Sequence, residues 1–297
     1  MVLDDIKEDA RMPSRIATTQ QLRDAQQFLG NRVSAPETLH ELPLPASTGR
    51  ILARTLDILD TNGHGGELAA GTRIDWYLLP LLAASGHCTV PTFATVRCGI
   101  VSMQAATCQA DQAVVAITLQ AALEKMGVKS VGANVTTRPL EDRSSLELFA
   151  KHCDVLLVID QAAQPPVPGA ELAPPLTFDV DGRPCFVLPT CPLAALGMFL
   201  AFIVPLIRTL QGRSTELPPL RSAVAADPDG EAFPGHALVC VSATGHGDAI
   251  RVRPCAPLDG RPVQGISDVS GIAWCADDLR GERDGLLAYL PLADWLQ

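Results

Sequence analysis

Between residues 98 and 212, short unbroken apolar runs take turns with longer runs of helical spacing. Cys98–Ser102, Val128–Ala133, Val155–Ile159 and Cys185–Leu188 are the short runs. VLLVI at 155–159 has no polar alternation at all, the pattern of a strand covered on both faces. Asp111–Met126 places Val114, Val115, Leu119, Ala122, Leu123 and Met126 at helical spacing and closes on Gly127. Asp142–Lys151 predicts another helix, with acidic residues at its start. A strand pair around Asp181-Gly182 then leads through Pro189-Thr190-Cys191-Pro192 into a long, nearly all-apolar helix reaching Gly212. Strands and helices in this order predict an α/β fold of three α/β/α layers on a mostly parallel sheet. Ligands of such a sheet sit beyond the strand C-termini, which here are residues 102–106, 160–164 and 189–192.

The flanks read differently. Residues 1–17 are charged and unpatterned, a loose tail. Thr18 or Thr19 caps a short helix through Leu29 that Gly30-Asn31 ends. A short helix is expected over 46–56, a flexible connector at 61–66 (TNGHGG), and a helix from Asp75 to Ala84 that Pro80 kinks. Residues 161–175 carry five prolines and read as an irregular loop, and 214–229 as a polar linker. Strands at 236–243 and 249–254 flank a glycine-rich turn, with further apolar segments at 266–278 and 285–290. The expected division is a reduced N-terminal segment (1–65), the α/β domain (66–213) and a small C-terminal β-rich domain (214–297).

Composition narrows the function classes. The 297 residues are 47% hydrophobic but only 4% aromatic, so the core is aliphatic and alanine-rich, as suits helices on a parallel sheet. A formal charge of −10 without clustered Lys or Arg argues against a nucleic-acid partner. It also makes capture of an anionic ligand depend on a local basic pocket. The nine cysteines are odd in number and contain no CxxC, which points to neither a zinc ribbon nor a disulfide framework, and to a reducing, cytoplasmic compartment. The six histidines show no HxH or HxxxH spacing, so no metal site is expected. Residues 1–15 do not read as a signal peptide. The apolar run 193–207 falls short of the roughly 20 residues that cross a bilayer.

The chemical candidates cluster at the strand ends. The turn Pro189–Pro192 opens a helix, whose first N–H groups suit an anion. Cys191 in that turn is either a thiol activated by the helix dipole or a simple turn residue, since no histidine lies close in sequence. Asp111 is either a ligand contact or the N-cap of its helix. Residues 244–248 (TGHGD) have the glycine content of a phosphate loop but sit as a hairpin turn would. Phe199, Phe202 and Leu206 line a pocket or fill the core.

Five segments in order resemble the molybdopterin molybdenumtransferase family, to which the C-terminal domain of gephyrin also belongs. They are GELAAGTRIDWYLLPLLAASGHCTVPTF, CGIVSMQ, Asp111-Gln112, GRPCFVLPTCPLAALGMF and SDVSGIAWCADDLRGERDGLLAYLP. The resemblance implies a molybdopterin-binding type of α/β domain and a cytoplasmic, homodimeric protein of molybdenum-cofactor biosynthesis or delivery. It also implies molybdopterin or its adenylate as ligand, held by Ser102, Asp111, Asp160, Pro189, Thr190, Cys191 and Pro192, with Asp111 and Asp160 as catalytic candidates.

Against that pattern, the residues expected to grip the ligand are replaced. Ala105 and Ala106 stand at the family's acidic pair, and Thr190-Cys191 at the Gly-Asn of its P-G-N-P turn. Asp160-Gln161-Ala162-Ala163 stands at its S-G-G loop, and Glu171 and Pro174 at its two lysines. The domain that follows the family's first segment is missing between Asp60 and Glu67. The lysine changes alone shift the local charge by three units, each worth roughly 4 kcal/mol at about 4 Å and an effective dielectric of about 20. Three functions remain open: an insertase relative, a catalytically silent partner of an insertase or molybdoenzyme, and an unrelated small-molecule enzyme using the strand-end crevice.

Overall fold

The computed structural model describes residues 16–34, 37–59, 65–103, 109–136, 143–160, 174–213, 220–226, 239–245, 250–255, 269–279 and 286–296. The expected N-terminal tail up to residue 15, the connector at 61–64 and the proline-rich loop at 161–173 lie outside them.

The central sheet has the order β6–β5–β7–β9–β8. Its strands are β5 (Arg97–Met103), β6 (Lys129–Thr136), β7 (Val155–Ile159), β8 (Leu176–Val180) and β9 (Arg183–Leu188). β6, β5, β7 and β9 are parallel, and β8 closes the edge antiparallel to β9. The β8–β9 turn places both Asp181 and Gly182 at positive φ (49° and 71°), the two-residue geometry that matches strand twist.

Helices cover both faces of this sheet. α3 (Gln109–Lys125) and α5 (Pro192–Met198) pack on one side, and α4 (Arg143–Ala150) on the other. Successive strand residues therefore enter different cores: Val155, Leu157 and Ile159 face α3, while Leu156 and Val158 face α4. Burial on both faces is why VLLVI carries no polar position.

The apolar helix is not a single α-helix. After α5 the chain widens into a π turn (Phe199–Ile203) before α6 (Val204–Leu210). The cause is Pro205. It has no N–H, and its ring would collide with the carbonyl four residues back, which is that of Ala201. That carbonyl is satisfied from α1 (Thr19–Gly30), whose Gln26 Nε2 donates to it at 2.7 Å. α1 itself opens with a capping box in which Thr18 Oγ1 and the Gln21 side chain exchange bonds with each other's backbone N–H.

The C-terminal part is a closed barrel, β10–β12–β11–β13–β14. Its strands are β10 (Arg221–Ala225), β11 (Val239–Thr244), β12 (Arg251–Pro254), β13 (Gly271–Trp274) and β14 (Leu286–Pro291). Here too alternate residues serve two cores. Val239, Val241, Ala273, Leu287 and Tyr289 fill the barrel, whereas Cys240, Ile272, Trp274, Ala288 and Leu290 join the core beneath α5 and α6. The barrel also reaches α1, where the Asp278 carboxylate accepts from the Thr19 amide at 3.0 Å and from its hydroxyl.

The N-terminal strands form two antiparallel pairs, β1 (Leu39–Pro43) with β4 (Thr89–Phe93) and β2 (Leu56–Leu59) with β3 (Gly65–Leu68). Leu44, Leu52, Ile74, Leu82 and Val90 make their core.

Three expectations are corrected. Residues 46–56 form the end of a 3-10 turn (Leu44–Ser47), two bridge residues and the start of β2 rather than a helix. Proline at 43 and 45 and glycine at 49 leave no room for one. The helix from Asp75 is a 3-10 turn (Trp76–Leu78) that leads into α2 (Leu79–Ala84), so Pro80 falls in the first turn and breaks nothing. The polar linker contains β10, because it pairs with β14 through Arg221–Val224 and with β12 through Val224 and Ala225, which completes the barrel.

Replacing Gln26 by Leu leaves the Ala201 carbonyl without its side-chain donor, with an expected loss of about 1–3 kcal/mol in urea denaturation. The loss should shrink in a Pro205→Ala background, where an N–H is restored. Gly212 ends α6 at φ 72°, and a Cβ there would sit 2.3 Å from Phe93 Cε2. Gly212→Ala is expected to lower stability by about 2 kcal/mol or more, from left-handed backbone strain and overpacking together.

Candidate functional site

The strand order sets where a ligand site belongs. β5 comes first in the chain, β6 is added on one side of it and β7 on the other, so the chain reverses direction between β5 and β7. In open α/β sheets the crevice at such a switch point is the binding site. Ser102 lies one residue before the end of β5, paired with Val135 on β6 and Ile159 on β7, and is 2% exposed. Asp160 follows β7 directly. Its amide donates to the Leu188 carbonyl at 3.0 Å, which ties the ends of β7 and β9 together. Neighbouring strands lie about 4.8 Å apart, so Ser102, Asp160 and the end of β9 lie within roughly 10 Å of one another.

The turn after β9 keeps the corner but fills it. Pro189 is buried and Thr190 is 2% exposed. Cys191 is exposed and occupies the N-cap of α5, with φ −70° and ψ 117°, but its side chain makes no capping hydrogen bond. Its carbonyl accepts from Ala195 N at 2.9 Å, and Pro192 takes the first helical position, where its missing N–H costs nothing. The structure thus brings Ser102, Asp160 and residues 189–192 to one end of the sheet. Asp111 lies in the first turn of α3 after Gln109 and Ala110, and therefore is not that helix's N-cap. Ala105, Ala106 and Glu171 lie outside the described residues.

Among the described residues of the strand ends (101–103, 134–136, 158–160 and 187–192) Asp160 is the sole ionisable group besides Cys191. Phe199, Phe202 and Leu206 are each 0% exposed and belong to the core, not to a pocket wall. Among the described residues no group of His, Cys, Asp and Glu is placed to hold a metal ion. No described helix is long and apolar enough to cross a membrane.

The thiols divide by burial. Cys98 lies under α3, and burial, reinforced by Cys153 and Asp154, pushes its pKa well above the ordinary value. Burial raises Cys185 to about 12, and it raises Cys240 to about 12 with smaller contributions from Cys255 and Cys191. Such groups pack as small hydrophobes rather than as nucleophiles.

Sequence reasoning overlooked Gln26. The signal was present: Leu22, Ala25, Gln26 and Leu29 follow helical spacing, so a polar amide occupies an apolar stripe. A proline inside the fully apolar helix was its counterpart.

The fold and crevice together define a doubly wound α/β protein with a C-terminal β-barrel. No family model and no curated protein matches the sequence. Solved structures do. A molybdenum cofactor biosynthesis protein from Pyrococcus furiosus superposes with a TM-score of 0.67 at 20% identity, covering 93% of this chain and 100% of that one. A molybdopterin biosynthesis moeA protein from Pyrococcus horikoshii gives 0.62 at 13% identity over 93% and 100% of the two chains. A second structure of a moeA protein from that organism gives 0.59 at 13%, over 93% and 99%. At these identities the likeness establishes the fold.

Because burial holds Cys185 and Cys240 at about 12 in the folded chain against an ordinary 9.0, their protonated forms stabilise the fold. That contribution is complete below pH 9 and is lost as pH rises towards 12. The unfolding free energy from urea denaturation should fall between pH 8 and pH 10, by about 1 kcal/mol for each thiol at pH 10. The fall should be smaller in Cys240→Ala.

Proposed function

We propose that this chain is a molybdenum-cofactor pathway protein that retains the insertase architecture without insertase chemistry. In this reading it acts as a homodimeric, cytoplasmic binding partner or scaffold for a true insertase or a molybdoenzyme. The pathway is supported by the likeness in fold to the molybdenum cofactor biosynthesis protein and the moeA proteins. It is supported equally by the five sequence segments that resemble the molybdopterin molybdenumtransferases.

The loss of chemistry rests on one observation, the β9–α5 corner. An anionic pterin phosphate needs bare backbone N–H groups that it can approach closely, which glycine allows and a side chain obstructs. Here the turn carries Thr190, 2% exposed and so packed within the corner, followed by Cys191. Asp160 adds a carboxyl group at the neighbouring strand end, and no Lys or Arg lies among the described strand-end residues. The described residues of this corner do not fit the phosphate of molybdopterin or its adenylate.

Titration of the full chain with molybdopterin is expected to give no saturable binding at micromolar concentration. The chain is not expected to restore molybdoenzyme activity in an insertase-deficient strain. Rescue of that strain, or micromolar binding abolished by Thr190→Trp, would overturn the silent reading. Light scattering is expected to report twice the 31.5 kDa chain mass; a monomer would remove the homodimer.

A further inference from the structure

α3 is apolar on the face that meets the core and again on the face that meets water. Its inner face buries Val115, Ala116, Leu119, Ala122, Leu123 and Met126 against the sheet and α5. Its outer face exposes Ala113, Val114, Ile117 and Ala121, with Ile117 68% exposed and Val114 39%. No charged residue occurs from Gln112 to Leu123 (QAVVAITLQAAL). A surface helix ordinarily turns charged residues to solvent, whereas one apolar all round is covered on both sides.

The polar side chains beside this outer row ask nothing of a partner. Thr118 Oγ1 donates to the Val114 carbonyl at 2.8 Å, and Gln120 Nε2 donates to Glu124 Oε1 at 3.1 Å. Covering the row therefore strands no hydrogen-bonding group of either side chain.

The order of residues along the row says what covers it. Ala113, Ile117 and Ala121 recur at i, i+4 and i+8, so the row reads small, large, small in either direction. A twofold contact demands such self-complementarity, because one patch serves both copies. With two α3 helices antiparallel about Ile117, each Ala113 lies at the height of the other copy's Ala121. The alanines let the helix axes approach to about 8 Å.

The flanking charges give the direction. Asp111 stands in the first turn of α3 and Lys125 in the last. They are about four turns apart and within about 40° of each other around the axis, on one flank of the row. Antiparallel pairing brings each Lys125 close to the height of the other copy's Asp111, while parallel pairing would set like charges together. Glu124 then falls opposite the other copy's first turn, where the helix dipole favours a carboxylate.

We infer that the outer face of α3 is the seam of a homodimer, with two α3 helices packed antiparallel across a twofold axis at Ile117. The seam rests on the homodimer of the proposed function and fixes where its two copies meet.

Sedimentation equilibrium of the full chain at about 10 µM is expected to report a dimer for the wild type and for Ile117→Leu. Leu148→Glu should also stay dimeric, since Leu148 is 62% exposed on α4, beyond the other face of the sheet. Ile117→Glu should give a monomer of 31.5 kDa with unchanged helical circular dichroism. Lys125→Glu should weaken the dimer by about tenfold, and adding Asp111→Lys to the same chain should restore it. A wild-type monomer would remove the homodimer and the seam together. A wild-type dimer that survives Ile117→Glu would overturn the seam and leave the homodimer standing. So would a double charge reversal that fails to recover what Lys125→Glu loses.

Discussion

A proline in the middle of a buried helix is the constraint around which this protein is assembled. The segment from Pro192 to Leu210 is packed on its sheet side, by α3, by α1 and by the barrel, so every backbone group in it must find a partner away from water. Pro205 removes one N–H and cannot tolerate the Ala201 carbonyl in its regular place. The chain answers with a π turn and with a buried amide from a helix 175 residues away in sequence. α1 is therefore bound into the domain by polar necessity as well as by the burial of Leu22, Ala25 and Leu29.

The same economy joins the barrel to the α/β domain. Strands of period two carry apolar residues on both faces, one row for the barrel interior and one for the shared core. Trp274, 0% exposed, sits on the shared side, and Ile272 and Leu290 flank it across the β13–β14 pair. Asp278 then anchors the start of α1 from the barrel side. A carboxylate at a helix N-terminus is favoured by the helix dipole, so this contact stabilises both partners.

Function follows from what such a frame leaves open. The described strand ends meet at the switch point between β5 and β7, and Thr190 is buried in the turn after β9.

Much of the α/β domain was legible from the chain alone, since its strands are buried on both faces and its helices obey simple spacing. VLLVI at 155–159 and the closure of α3 before Gly127 are cases in which local pattern and tertiary packing demand the same thing. The corner residues Ser102, Asp160 and Thr190 could also be named, because parallel strands point their C-termini to one edge. What local pattern could not decide was pairing. β10 reads as linker because Arg221 and Ser222 face outward, and only two neighbouring strands make it part of a barrel. Ile51 and Leu52, within the stretch expected to be helical, are held by bridges to Arg73 and Thr92, partners far along the chain. Gln26 is a mismatch in a helical stripe until Ala201 is brought to it. The sequence by itself determined the secondary periodicity and the placement of the sheet. The tertiary structure alone decided which polar groups meet, because a hydrogen bond between distant residues leaves no trace in the spacing of either.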